Sequence, residues 1–296
     1  MSEPITRRES ARAEPPAAPP RPPCAVRSFG LTDPGRVRPS NEDHFAVVEL
    51  ARTLHVRQTS VPQAADQYGS HRGHLFLVAD GMGGHRAGEV ASALGVLTVE
   101  AFLLNALQRF FSLAAPQERD ALEEFRGALL QADARILEEA ARHPDQLGMG
   151  TTLTLAFALN WRLFVAHAGD SRCYLFSGGR LRRLTQDHTL VAEMVRAGAL
   201  SAAEASGHPY RNVVTNVLGG EAQRVRVELH LLDLEPGDVL VLCSDGLTEM
   251  LPDERIASVL RGEREPQGAC ERLVAEANER GGRDNITAVV VRFEEA

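Results

Sequence analysis

The residues of this chain best suited to chemistry are carboxylates at the edges of apolar runs. Asp80 closes LFLVAD, Asp170 follows LFVAHAG, and Asp245 follows VLVLCS. Asp284 precedes ITAVVVRF, and Glu42 and Asp43 precede the run Phe45–Leu50. A single Asp-Gly or Gly-Asp step is ordinary turn chemistry, because aspartate caps its own backbone and tolerates turn geometry. Five recurrences at one kind of boundary read differently. Strand termini at one end of a sheet converge, so these groups are expected to share a cleft. Packed carboxylates repel one another and take up protons unless cations neutralise them. No cysteine or histidine pair accompanies them, so the donor set is all oxygen. Such a set suits magnesium or manganese better than zinc or copper.

A phosphate anchor and a glycine loop lie beside these acids. Arg38 stands four residues before Glu42 and five before Asp43. Alone it reads as a surface ion pair; beside a metal cluster its planar fork suits phosphate oxygens. Gly81–Gly88 holds four glycines within eight residues, between a strand-like run and a helical one. That order resembles a nucleotide-phosphate loop. A dinucleotide fingerprint, however, needs its third glycine where Arg86 stands, and the acid further on, Glu100, falls in a helical stretch.

Composition narrows the classes. The chain has 296 residues, 44% hydrophobic and 24% charged, as in ordinary globular proteins. Its net charge of −8 argues against nucleic acid or anionic membrane as the main partner. All 32 basic residues are arginine, which excludes a P-loop lysine, a kinase strand lysine and any Schiff-base lysine. The four cysteines, Cys24, Cys173, Cys243 and Cys270, lack CxxC spacing and read as thiols of a reducing cytosol. No segment reaches the apolar length of a membrane span, and a cytoplasmic protein is expected.

These acids must be positioned by mixed elements. Strands are predicted at Ala25–Leu31, Phe45–Leu50, His74–Ala79, Thr152–Leu159, Arg162–Ala168 and Arg172–Phe176. More follow at Arg180–Leu184, Arg224–Leu232, Val239–Cys243 and Ile286–Phe293. Hairpin signals stand at Asn160-Trp161, Ser177-Gly178-Gly179 and Pro236-Gly237. Helices are predicted near 86–112 and 116–142, then 252–261 and 266–280. Clustered strands with helices in separate pairs favour an α+β class with antiparallel sheets. PPAAPPRPP marks residues 1–24 as a disordered proline-rich tail, with a single domain over 25–296. Thr185–Glu221 is short-helical, carries the capping-box pattern Ser201-x-x-Glu204, and reads as a lid or connecting subdomain. Arg52–Gly73 reads as a loop or hairpin excursion.

RPSNEDHF, VADGMGGHRAGE, MGTT at 149–152, AHAGDSR, CSDGL and GRDNIT occur in one order and spacing. In these six motifs the chain resembles the metal-dependent protein phosphatases of type 2C, in particular bacterial members that oppose serine/threonine kinases. The resemblance spans about 25–294 and implies a four-layer α-β-β-α sandwich of two antiparallel sheets flanked by helix pairs. By position it implies that Asp80 bridges two metals, that the Gly81 carbonyl binds the first, and that Asp245 and Asp284 ligate the second. Asp43 and Glu42 would hold metal-bound waters, and Arg38 would grip the substrate phosphate. Asp170 would bind a third, weaker ion, with Asp245. The segment 185–221 would be the flap beside the cleft.

What the resemblance implies chemically is hydrolysis of phosphoserine and phosphothreonine by a metal-activated water, without a phosphoenzyme. It implies two core Mn2+ or Mg2+ ions and a possible third. The partners would be phosphorylated proteins and a cognate Ser/Thr kinase, with no nucleic acid or membrane and a monomeric state. Cys243 and Ser244, beside Asp245, are then structural. Eukaryotic members carry a histidine directly after the Asp-Gly pair, where this chain has Met82. The nearest histidine is His85, and the leaving-group acid stays unassigned between it and a metal-bound water. A pseudophosphatase would have lost ligands, and here all are present. A phosphatase of small phosphate esters remains open, because specificity resides in the flap.

Overall fold

In chain order the computed structural model has strands β1 (Cys24–Asp33), β2 (Asp43–Arg52) and β3 (His71–Met82), then helices α1 (Ala87–Phe110) and α2 (Glu118–Arg142). Strands β4 (Gly150–Thr151), β5 (Leu153–Leu159), β6 (Arg162–Ala168), β7 (Arg172–Ser177) and β8 (Arg180–Arg183) follow, then α3 (Leu190–Arg196) and α4 (Ala202–Ser206). The last third holds β9 (Glu228–Asp233), β10 (Val239–Cys243), α5 (Asp245–Thr248), α6 (Asp253–Gly262), α7 (Pro266–Glu279) and β11 (Ile286–Glu295). The structure describes residues 22–52, 71–83, 87–110, 118–220 and 224–296. Most of the proline-rich tail, most of the 52–73 excursion, and His85 and Arg86 lie outside the described residues.

Two antiparallel sheets form, in the orders β1-β11-β10-β7-β8 and β2-β3-β5-β6-β9, with β4 paired to β3. The apolar runs are continuous because each strand is covered on both faces, as period-2 side-chain alternation requires. Phe76 and Val78 of β3, Ala156 and Ala158 of β5, Leu240 and Leu242 of β10, and Val289 and Val291 of β11 fill the space between the sheets. The alternate residues Leu75, Leu77 and Phe157 face α1 and α2, while Val241, Cys243 and Val290 face α5, α6 and α7. Phe125 of α2 meets Phe157 and Phe164, with ring centroids 5.4 and 5.9 Å apart, and so fixes that helix to its sheet. The result is the α-β-β-α sandwich expected from the sequence.

Five sequence expectations change. Asp80 does not end its strand: β3 continues through Gly81 and Met82, which pair with Thr151 and Gly150. Residues 224–227 are not strand, and β9 begins at Glu228. Pro236-Gly237 is no hairpin, because β9 and β10 belong to different sheets; this turn carries the chain from one layer to the other. The tail docks earlier than expected: Trp161 Nε1–H donates to the Pro22 carbonyl at 2.7 Å, and Cys24 already pairs with Glu295. Finally, Ala87–Ala106 of α1, with mean hydropathy 1.6, has the length and composition of a membrane span. Half of that window is buried in the fold, where Ala91, Val99 and Leu103 pack into the core under β3. Its apolarity therefore serves the core.

Candidate metal centre

The carboxylates arrive from different elements at one edge of the sandwich. Asp43 opens β2 and lies directly across from Asp80 on β3. Asp245 is the first residue of α5, separated from β10 by Ser244 alone, and Asp284 stands two residues before β11. Asp170 sits in the turn between β6 and β7. The backbone of Asp80 is held by the MGTT segment: its N–H donates to Thr152 Oγ1 at 3.0 Å, and its carbonyl accepts from Thr151 Oγ1 at 2.9 Å.

Their mutual proximity is visible in their proton affinities. Burial holds the Asp80 carboxyl well above the usual range, and the charges of Asp43, Asp245, Asp170 and Asp284 add to this. Asp245 is raised in the same way, by burial and then by Asp170 and Asp284. Asp43 is pushed up to about 6, chiefly by burial, although the Thr287 and Ser244 hydroxyls oppose the shift. Asp170 also reaches about 6, through burial and the nearby charge of Asp187. Glu42 is raised by burial, with Arg38 pulling the other way.

Two groups select the loop geometry. A Cβ on Gly81 would stand 2.1 Å from the Gly88 carbonyl oxygen and 2.7 Å from that of Glu42, so only glycine lets α1 start this close to β3. Gly169 has φ +123, a conformation open to glycine, and it turns the chain into Asp170.

Ser244, read as structural from the sequence, belongs to a supporting set whose other members escaped that reading. Ser244 Oγ–H and Thr287 Oγ1–H donate to Asp43 Oδ2 at 2.7 and 2.6 Å. Asn285 accepts from the Glu42 N–H at 2.8 Å and donates to the carbonyls of Pro34 and Ser40, so it pins the loop that carries Arg38. His188 Nδ1 accepts from the Gly169 N–H at 3.0 Å, and Arg172 grips Asp187 through two bonds of 2.9 and 2.7 Å. His167, His188 and Glu228 can each offer a ligating atom within 4.8 Å of the others. Both nitrogens of His167 are, however, engaged with Thr154, Gly169 and Gln186, and the rings stack with centroids 5.0 Å apart. These three residues form a polar clasp at the base of the flap. His167 lies in the motif AHAGDSR and His188 in the segment 185–221, and nothing in their spacing pairs them.

Arg38 donates to Asp284 Oδ2 at 2.6 Å. The predicted anchor thus contacts one of the predicted ligands. Met82 lies in the β3–β4 pairing opposite Gly150. Cys243 is buried, with its thiol pushed up to about 12 by burial, which removes it as a nucleophile.

The donor set fits a hard cation. Every member is an oxygen, and Asp43 Oδ1 is buried without a hydrogen-bond partner in an otherwise well-bonded site. Carboxylates with raised proton affinity, one of them with an orphaned oxygen, are the arrangement that positive charge relieves.

Comparison with known proteins places the chain in a known family. Residues 53–276 match the family model described as Protein phosphatase 2C. The serine/threonine phosphatase stp of Listeria welshimeri is 35% identical over 260 residues, covering 88% of this chain and 93% of that protein. Among solved structures, the Mycobacterium tuberculosis serine/threonine phosphatase PstP/Ppp aligns with a TM-score of 0.72 and 33% identity, over 91% of this chain and 99% of that one. The catalytic domain of PstP in complex with two manganese ions aligns with a TM-score of 0.71 and 31% identity, over 92% and 99% of the two chains. The chain belongs to the protein phosphatase 2C family.

Proposed function

We propose that this protein is a metal-dependent phosphatase of phosphoserine and phosphothreonine in proteins. The observation that carries the reading is the cluster of Asp43, Asp80, Asp170 and Asp245 on the family's sandwich, each with its proton affinity raised by burial, and Asp80 and Asp245 also by the charges of the other members. Asp80, Asp245, Asp284, Asp43 and the Gly81 carbonyl would hold two divalent cations, manganese or magnesium, and Asp170 with Asp245 a third. When bound, such ions activate water for in-line attack on phosphorus and neutralise phosphoryl charge.

The chain's own groups do the rest. Ser244 and Thr287 fix Asp43, and Asn285 fixes the backbone of Glu42, so these two acids would meet a cation already oriented. Arg38, mostly exposed and paired with Asp284 at 2.6 Å, would offer its guanidinium fork to the substrate phosphate. The leaving seryl or threonyl oxygen takes its proton from a group that the described residues do not assign. A cytoplasmic setting and an opposing Ser/Thr kinase belong to the same reading, as do a monomeric state and independence of nucleic acid and membrane.

The test is turnover of an aryl phosphate and a phosphothreonine peptide with added manganese. Asp80→Asn and Asp245→Asn are expected to abolish both activities while leaving the far-UV circular dichroism unchanged. Full activity in either variant, or in excess chelator, overturns the reading.

A further inference from the structure

Beside the carboxylates lies a cavity of about 870 Å³, roofed by the flap. Asp170 and Asp245 are among its lining residues, so it includes part of the proposed metal centre. Its flap wall is apolar where α3 and α4 contribute Val191, Ala192, Val195, Ala202 and Ala205. Its charged lining is unlike the rest of the protein. Five arginines, Arg172, Arg183, Arg196, Arg211 and Arg283, face it, although the chain as a whole is acidic. Apart from Asp170 and Asp245, the acids there are Asp187 and Glu249.

The arginines are not equivalent. Arg172 and Arg183 both bind the Asp187 carboxylate, and Arg196 donates to the Asp187 carbonyl at 3.1 Å. Those three hold the base of the flap. The side chains of Arg211 and Arg283 form no hydrogen bond or ion pair with other described residues. Two free guanidinium groups thus share a cavity with a single free acid, Glu249, next to the centre where a phosphorylated residue is taken up.

We infer that this cavity is the subsite for the peptide flanking the phosphorylated residue, and that Arg211 and Arg283 select substrates with an acidic side chain there. The inference rests on the phosphatase reading and deepens it. Guanidinium forks bind carboxylates bidentately, and the apolar strip of α3 and α4 accommodates the aliphatic part of the peptide. A small aryl phosphate carries no flanking residues for Arg211 and Arg283 to contact. Selection by Arg211 and Arg283 therefore acts on peptides alone, and it weakens with salt, as exposed charge pairs do.

The experiment compares kcat/KM for three phosphothreonine peptides, identical except for Asp, Ala or Lys at the flanking positions. A fourth peptide carries phosphoserine there, and an aryl phosphate serves as reference. The expected order is Asp, then Ala, then Lys, with a ratio of about fivefold per step that shrinks in high salt. Arg211→Gln and Arg283→Gln are each expected to bring the Asp-to-Ala ratio toward one. Equal rates on the three peptides overturn the inference, as does an unchanged ratio in both variants. A wild-type preference confined to the phosphoserine peptide overturns the carboxylate assignment in favour of a second phosphate. Loss of all turnover in the wild type, aryl phosphate included, overturns the phosphatase reading and this inference with it.

Discussion

Asp43 shows how a single residue is prepared for its task. Its Oδ2 accepts two hydroxyl bonds from Ser244 and Thr287, while Oδ1 is buried and free. The pair of hydroxyls orients the carboxylate and leaves its second oxygen without a hydrogen-bond partner. Thr287→Val keeps the shape and removes one donor. It is expected to destabilise the fold by about 1–3 kcal/mol and to weaken manganese affinity by about 10- to 100-fold, with Thr287→Ser restoring most of both. Isothermal titration with manganese and melting curves measure these separately. Equal manganese affinity in wild type and Thr287→Val would reduce Thr287 to a packing role. The acids themselves were legible because Asp after or before an apolar run is conspicuous. Their supports were not, since Thr287 is 244 residues from Asp43 and no local pattern announces a partner at that distance.

At the scale of elements, most strands and helices follow from alternation, glycine turns and helical periodicity. Gly178-Gly179 closes the β7–β8 hairpin with both residues at positive φ, and Ser201 with Glu204 forms the predicted capping box. Misplaced boundaries have tertiary causes. β3 is prolonged past Asp80 by a two-residue partner, β4, too short to show any periodicity. The Pro236-Gly237 turn reads as a hairpin because turn chemistry does not encode which sheet the next strand joins. The flap is tied to the β6–β7 turn by His188, whose Nδ1 accepts from Gly169 N–H and from Asn216 Nδ2, each at 3.0 Å. His188→Ala leaves the buried Gly169 N–H without an acceptor, at a cost of about 1–3 kcal/mol. Amide hydrogen exchange is expected to accelerate across 186–216 and around 169–171, with little change in β10 and β11. Unaltered exchange in both segments would show that the clasp does not hold the flap.

For the whole molecule, the carboxylate cluster makes stability depend on pH and on metal together. Asp43 and Asp170, at about 6, and Asp80 and Asp245, held well above the ordinary carboxylate range by burial, bind protons more tightly folded than unfolded. In the metal-free protein their contribution is therefore fully present below the unfolded carboxylate range and is lost as pH rises through about 6 and beyond. His167 works in the opposite direction. Burial lowers it to about 4, so its contribution is present above the ordinary imidazole range and declines as pH falls toward 4. His44, His74 and His188 are lowered by burial as well. The metal-free melting curve mixes these two signs, whereas the increment on adding manganese isolates the carboxylates, because ions and protons compete for the same oxygens. The manganese-induced rise in Tm is expected to grow steadily from pH 5 to pH 7.5. Replacing the buried charge in Asp245→Asn should raise the metal-free Tm at pH 7.5 and remove most of the increment. Differential scanning calorimetry across that range decides the matter: an increment independent of pH, or one retained in full by Asp245→Asn, would mean that the ions bind elsewhere on the molecule.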